Sequence, residues 1–406
     1  MRYACVLLGI SLAGAGVAAE ADALAISQII RERHLPHSVI VDPMYASPDS
    51  PQIAHYTRCG DAAIWTGHYL AAESFRWRVT KAPAAREAIL EALQGIRYLL
   101  DATGRDVLAR CVFPVDSPWA PDFSQEEQHH GVHLGTVDGR PYFWIGNTSR
   151  DQYIGVMFGL GVAFEFAGDD PEIRQASRWL GERVLNRLLA DGWLVRMPGG
   201  RVSTTFLQRP DQQLAFLKIG RMLNASRFER PYQWNAVQMS LGVWAPVATE
   251  ALEPHGSYFK FNLNAATFFH LLRLDGSGFI QGNCRLAYDI FRRAVEDHGN
   301  AHFHMVDRAV RGPDPERDAE TRRLLAQWLT RPRRDVWVDL RGKYPACKDD
   351  NRACQPIPVP ERVTTDFLWQ RSPFQLSGGG GGVIEGAGID YLLPYWMGRY
   401  YGVVWD

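Results

Sequence analysis

The sequence predicts an all-α fold: a closed α/α toroid of antiparallel helical hairpins with two long loop insertions. Three observations lead there. Apolar residues recur at helical spacing along most of the 406 residues, few segments alternate as strands do, and helices apolar nearly all round are followed by helices with one charged face. An all-round apolar helix must be buried and an amphipathic one covers it, so such pairs build an inner cylinder of helices wrapped by an outer one. No fixed short repeat marks a solenoid.

The elements follow in order. Residues 1–19 read as a secretory signal, with Arg2 ahead of an apolar stretch over 4–16 and Val17, Ala18 and Ala19 before the cut. That stretch is shorter than the roughly 20 residues a membrane span needs. Residues 20–406 are then one domain. Helices are expected near 22–33, 61–78 and 84–102, the last ending at Gly104. After a first insertion over 108–148 come 149–167, closed by Gly168, and 171–190, opened by Pro171. Further helices fall near 210–224, 232–252, 257–274, 283–297, 316–330 and 388–402, with a weaker one near 301–310. Pro394 should kink or restart the last of these. The second insertion, 331–387, contains five glycines over 378–382 and reads as a flexible loop or lid.

Charge and cysteine usage narrow the function. With 44 Lys and Arg against 45 Asp and Glu, nothing draws nucleic acid or an anionic membrane. Export favours disulfides. Cys347 and Cys354 fit a short staple and Cys59 with Cys111 a second, which leaves Cys284 free and buried. No Cys-x-x-Cys pair supports structural zinc. The 13 Trp, 15 Tyr and 19 Phe either pack the core or stack on sugar rings.

Two helix starts concentrate polar groups. Asp61 precedes Trp65, His68 and Tyr69, which share a helix face at i, i+3 and i+4. Arg150, Asp151, Gln152 and Tyr153 open the most apolar helix of the chain. Asp61 fits an N-cap as well as a site carboxylate, and Ser149 with Gln152 fits a capping box. If both helices point the same way, Asp61 and Asp151 face one cavity. Two carboxylates beside aromatic rings and an Arg can protonate a glycosidic oxygen and activate water. Glu126, Glu127, His129, His130 and His133 mix carboxylate and imidazole, but at no recognised metal-binding spacing, so a polar loop and no metal or cofactor is expected. His130 at the toroid mouth and Glu385, where the glycine loop rejoins the last helix, are further substrate contacts.

The pattern D-x-x-x-W-T-G-x-Y-L-A-A-x-x-F over 61–75, the S-R-D-Q-Y helix start and the dozen-helix succession resemble the six-hairpin (α/α)6 toroid proteins of carbohydrate metabolism. These include unsaturated glucuronyl hydrolases, rhamnogalacturonyl hydrolases and N-acylglucosamine 2-epimerase-like proteins. The resemblance implies two catalytic aspartates at inner-helix mouths, the positions of Asp61 and Asp151. The expectation is thus a periplasmic or secreted glycoside hydrolase acting on a uronic-acid-containing saccharide. Asp61 and Asp151 would be its acid/base pair, and Trp65, His68, Tyr69, Arg150, Gln152, Tyr153, His130 and Glu385 its substrate contacts. A uronate epimerase or lyase, and a non-catalytic saccharide-binding or envelope scaffold, are the alternatives.

Overall fold

A computed structural model describes residues 19–252, 257–274, 278–347 and 354–405, so the signal segment before Ala19 lies outside the described residues. The fold is mostly helical, with several small sheets. Six helices are buried along most of their length: α2 (Ala62–Thr80), α5 (Arg150–Phe166), α7 (Pro210–Leu223), α10 (Phe259–Arg273), α12 (Ala301–Arg311) and α14 (Ile389–Tyr400). They touch in chain order, α2 on α5, α5 on α7, α7 on α10, α10 on α12 and α12 on α14, and α14 lies against α2. Each is backed by a helix with an exposed face: α3 (Pro83–Asp101) on α2, α6 (Pro171–Ala190) on α5, α8 (Ala225–Gly242) on α7, α11 (Gly278–Val295) on α10, α13 (Pro315–Trp328) on α12 and α1 (Glu20–Ile29) on α14. The backing helices bury a stripe at the expected spacing, as with Ala85, Ala88, Ile89, Ala92, Leu93, Ile96, Leu99 and Leu100 of α3. Among the described residues no helix is long and apolar enough to cross a membrane.

The insertions are more ordered than their sequence suggests. The first holds strands β3 (Val112–Pro114), β4 (Val132–Val137) and β5 (Arg140–Ile145), in the order β3-β5-β4, and a short helix α4 (Ala120–Glu126). The glycine run is no flexible lid: it lies in strand β9 (Ser377–Glu385), between β1 (Asp42–Tyr45) and β8 (Arg334–Asp339). Glycine is required there by close approach rather than mobility. A Cβ on Gly379 would sit 2.1 Å from the Val336 carbonyl oxygen, and one on Gly380 1.9 Å from the Asp335 carboxylate. Pro394 likewise does not break α14. The Asp390 carbonyl that its missing N–H leaves unpaired accepts the indole N–H of Trp369 instead.

Cysteine pairing follows the spacing argument: Cys59 bonds Cys111, Cys347 bonds Cys354, and Cys284 is free and buried. Both bonds fit a protein of an oxidising compartment. The first closes 52 residues of sequence and ties the start of α2 to β3. Replacing Cys59 and Cys111 with Ser should cost roughly 4 kcal/mol, against roughly 2 kcal/mol for the short ring, from lost chain-entropy restriction. Urea denaturation of the two double variants tests that order.

Candidate active site

Packing of α2 on α5 creates the site. Gly67, Gly155 and Gly159 meet across the pair, and a Cβ on Gly67 would stand 2.0 Å from the Gly155 carbonyl oxygen. This backbone contact brings the first turns of both helices side by side, and polar bonds then lock them. Gln152 of α5 accepts the Ile64 N–H at 2.9 Å and donates to Asp61 Oδ1 at 3.0 Å. Arg110 donates to the Gly60 carbonyl at 2.8 Å, the Asn147 carbonyl at 3.1 Å and Ser149 Oγ at 2.7 Å, and lies 3.7 Å from Asp61. The capping readings therefore fail: Asp61 occupies the N-cap position with no capping bond from its side chain, and Ser149 and Gln152 serve Arg110 and α2 instead. Tertiary packing spends these groups across the helix pair.

Two cavities share Asp61 and Arg371 as lining residues. The first, about 280 Å³, is walled by Asp61, Asp151, Trp65, Tyr258, Phe259 and Gln370, with Arg371, Ser372 and Gln375. The second, about 300 Å³, is walled by Asp61, Asp366, Arg58, Arg110 and the Glu126–His130 turn. Asp366 is the carboxylate that sequence reading missed. Trp65 donates its indole N–H to Asp366 at 3.1 Å and stacks on Phe367 with ring centres 4.9 Å apart, so the 366–375 segment closes over the start of α2.

The two carboxyls are driven in opposite directions. Burial would raise Asp366, but Arg58, the Thr365 hydroxyl, Arg371 and the Phe367 N–H together hold it below the usual carboxylate range. Asp61 is pushed up to about 7, by burial first and then by the negative charges of Asp366 and Asp151, against the opposing pull of Arg110 and Gln152. Its side chain is 42% open to solvent, so water tempers the burial. A proton held beside an ionised neighbour is the arrangement that separates acid from base.

Other expected contacts lie elsewhere. His68 is fully buried, with Nδ1 on the Ile64 carbonyl at 2.9 Å and its pKa lowered to about 4 by burial. Tyr69 is buried, and the Tyr153 hydroxyl accepts the Leu108 N–H at 3.1 Å. These three cannot stack on a sugar in the cavity. A helix buried on every side turns most of its faces into packing, and i, i+3, i+4 spacing does not say which face meets the cavity. Arg150 donates to the Thr205 carbonyl at 3.3 Å, away from the cavity walls. Glu385 lies in a separate buried cluster, 3.6 Å from His34, which is 3.3 Å from Asp42. Asp42 in turn accepts from Arg58 at 2.7 Å, so this cluster supports the site from behind. His130 does line the second cavity. The aromatic wall missing from the sequence reading is Tyr258 and Phe259. The one hint of it is aromatic residues at a helix start, as at Trp65.

Comparison with known proteins adds no identification: no protein-family model matches the chain, and its sequence matches no curated protein.

Proposed function

We propose that the chain is an exported carbohydrate-active hydrolase built on a closed α/α toroid. Support for the toroid is the succession of buried helices that touch in chain order and return to the first. The observation that carries the chemistry is the cavity that Asp61 shares with Asp151 and aromatic rings, where burial and the neighbouring carboxylates push the Asp61 pKa up to about 7. Asp61 gives its proton to the glycosidic oxygen as the bond to the anomeric carbon breaks. A second aspartate, Asp151 across the cavity or Asp366 beside it, takes a proton from the attacking water. Phe259, 42% exposed, offers an apolar face to a pyranose ring, with the buried Trp65 and Tyr258 contributing to the same wall, and Gln370 and Gln375 offer hydrogen bonds to hydroxyls. Arg371 reaches both cavities and suits an anionic sugar such as a uronate.

The mature protein incubated with a panel of neutral and uronate-containing oligosaccharides tests this reading. Release of a new reducing end with no unsaturated product supports hydrolysis. A product absorbing as an unsaturated uronate means elimination, and binding with no product across the panel leaves a saccharide-binding protein.

A further inference from the structure

A covering helix needs one apolar stripe, and the outward faces of α6 and α13 are accordingly charged, with Glu172, Arg174 and Arg178 exposed on one and Glu316 and Arg323 on the other. Helices α8 and α11 depart from that pattern. The stripe that α8 turns inward is Phe228, Tyr232, Ala236 and Ser240. A second stripe, Trp234, Val237 and Leu241, points outward, and Trp244 at the start of α9 (Trp244–Leu252) carries it one turn further. On α11, Phe279 and Leu286 flank Asn283 at helical spacing, and Asn283 donates to Ser240 Oγ at 3.3 Å. That bond joins the two stripes into one face. Its six apolar side chains are each between 47% and 82% exposed.

These exposures leave roughly 700 Å² of apolar side chain in water, more than the roughly 300–600 Å² of the largest patch on a typical monomer and near the roughly 800 Å² that each partner gives to a standard interface. No charged residue occurs over 231–249 or 278–284, so the centre of the face holds nothing that repels an identical copy. The rim carries both signs, Arg230 and Arg285 with Glu229 and Asp289. An uncharged aromatic centre inside a mixed polar rim is the composition of a protein interface, whereas an anionic bilayer is held by clustered cations. We infer that this face pairs two copies of the chain about a two-fold axis, the closure that one self-complementary patch permits. The pairing is independent of the hydrolase reading.

Sedimentation velocity on the mature protein between about 1 and 100 µM decides the matter. A dimer half-dissociated below about 10 µM is expected, within the range that interfaces of this size span. Trp234→Glu with Leu241→Glu replaces no buried residue and sets charge at the centre of the face in both copies. It should weaken pairing at least about tenfold with circular dichroism unchanged. Trp337→Glu, equally exposed but on edge strand β8, should pair as the parent does. Hydrogen exchange on the parent reads the same face without a variant: the amides of 231–244 should be better protected at about 100 µM than at about 1 µM. A parent that is monomeric at about 100 µM overturns the proposal, whether it stays free in solution or sediments with phosphatidylglycerol vesicles. So does a dimer that survives the double variant, one split by Trp337→Glu, or protection of 231–244 that ignores concentration.

Discussion

Asp61→Asn should lower kcat about 10³-fold on a natural saccharide while leaving substrate binding within a few fold, since a positioned general acid contributes about 10²–10⁴. The amide keeps the size of the side chain and its place beside Gln152 Nε2 and Arg110, so the helix pair has no cause to rearrange. What disappears is the proton. An activated aryl glycoside, whose leaving phenolate needs little protonation, should therefore lose far less rate than the natural substrate. Equal loss on both would indicate damaged geometry rather than a missing acid. The variant should also be more stable than the parent at pH 8. The folded-state pKa of Asp61 lies above its ordinary 3.8, so the folded protein binds the extra proton between those values and loses relative stability as pH rises toward about 7. Asn removes that repulsion from Asp366 and Asp151.

Gly67→Ala should destabilise the fold by about 3 kcal/mol or more, a severe case of overpacking, because the added carbon would stand 2.0 Å from the Gly155 carbonyl oxygen and 2.7 Å from Val156 N. Backbone, not a movable side chain, blocks it. Any folded fraction must hold α2 away from α5, which parts Asp61 from Gln152 and Asp151, so activity should fall together with stability. Gly282→Ala in α11 is the control. Nothing lies within 4 Å of its added carbon, and the variant should gain up to about 1 kcal/mol of helix propensity. Chemical denaturation of both variants reads the contrast.

Much of the helical framework was legible because burial on every side writes a continuous apolar segment, as in 149–167, and coverage on one side writes a stripe, as in α3. The sheets were not. β3 and β6 (Leu194–Arg196) are three residues each, too short to show alternation, and β9 is written in glycine, which signals close approach and flexibility alike. In the site, Asp61, Trp65 and Asp151 could be read from their place at helix starts. Asp366 could not, because it reaches Trp65 across 301 residues of sequence from a segment without periodicity.

The claim on which the account rests is that Asp61 holds a proton near neutrality because burial, and then the charges of Asp366 and Asp151, disfavour its ionised form. The direct measurement is the carboxyl ¹³C titration of Asp61 in aspartate-labelled protein, assigned by its absence in Asp61→Asn. A midpoint near 7 that falls toward the ordinary 3.8 in Asp366→Asn is the result predicted. A midpoint near 4 in the parent protein, unmoved by Asp366→Asn, would contradict it.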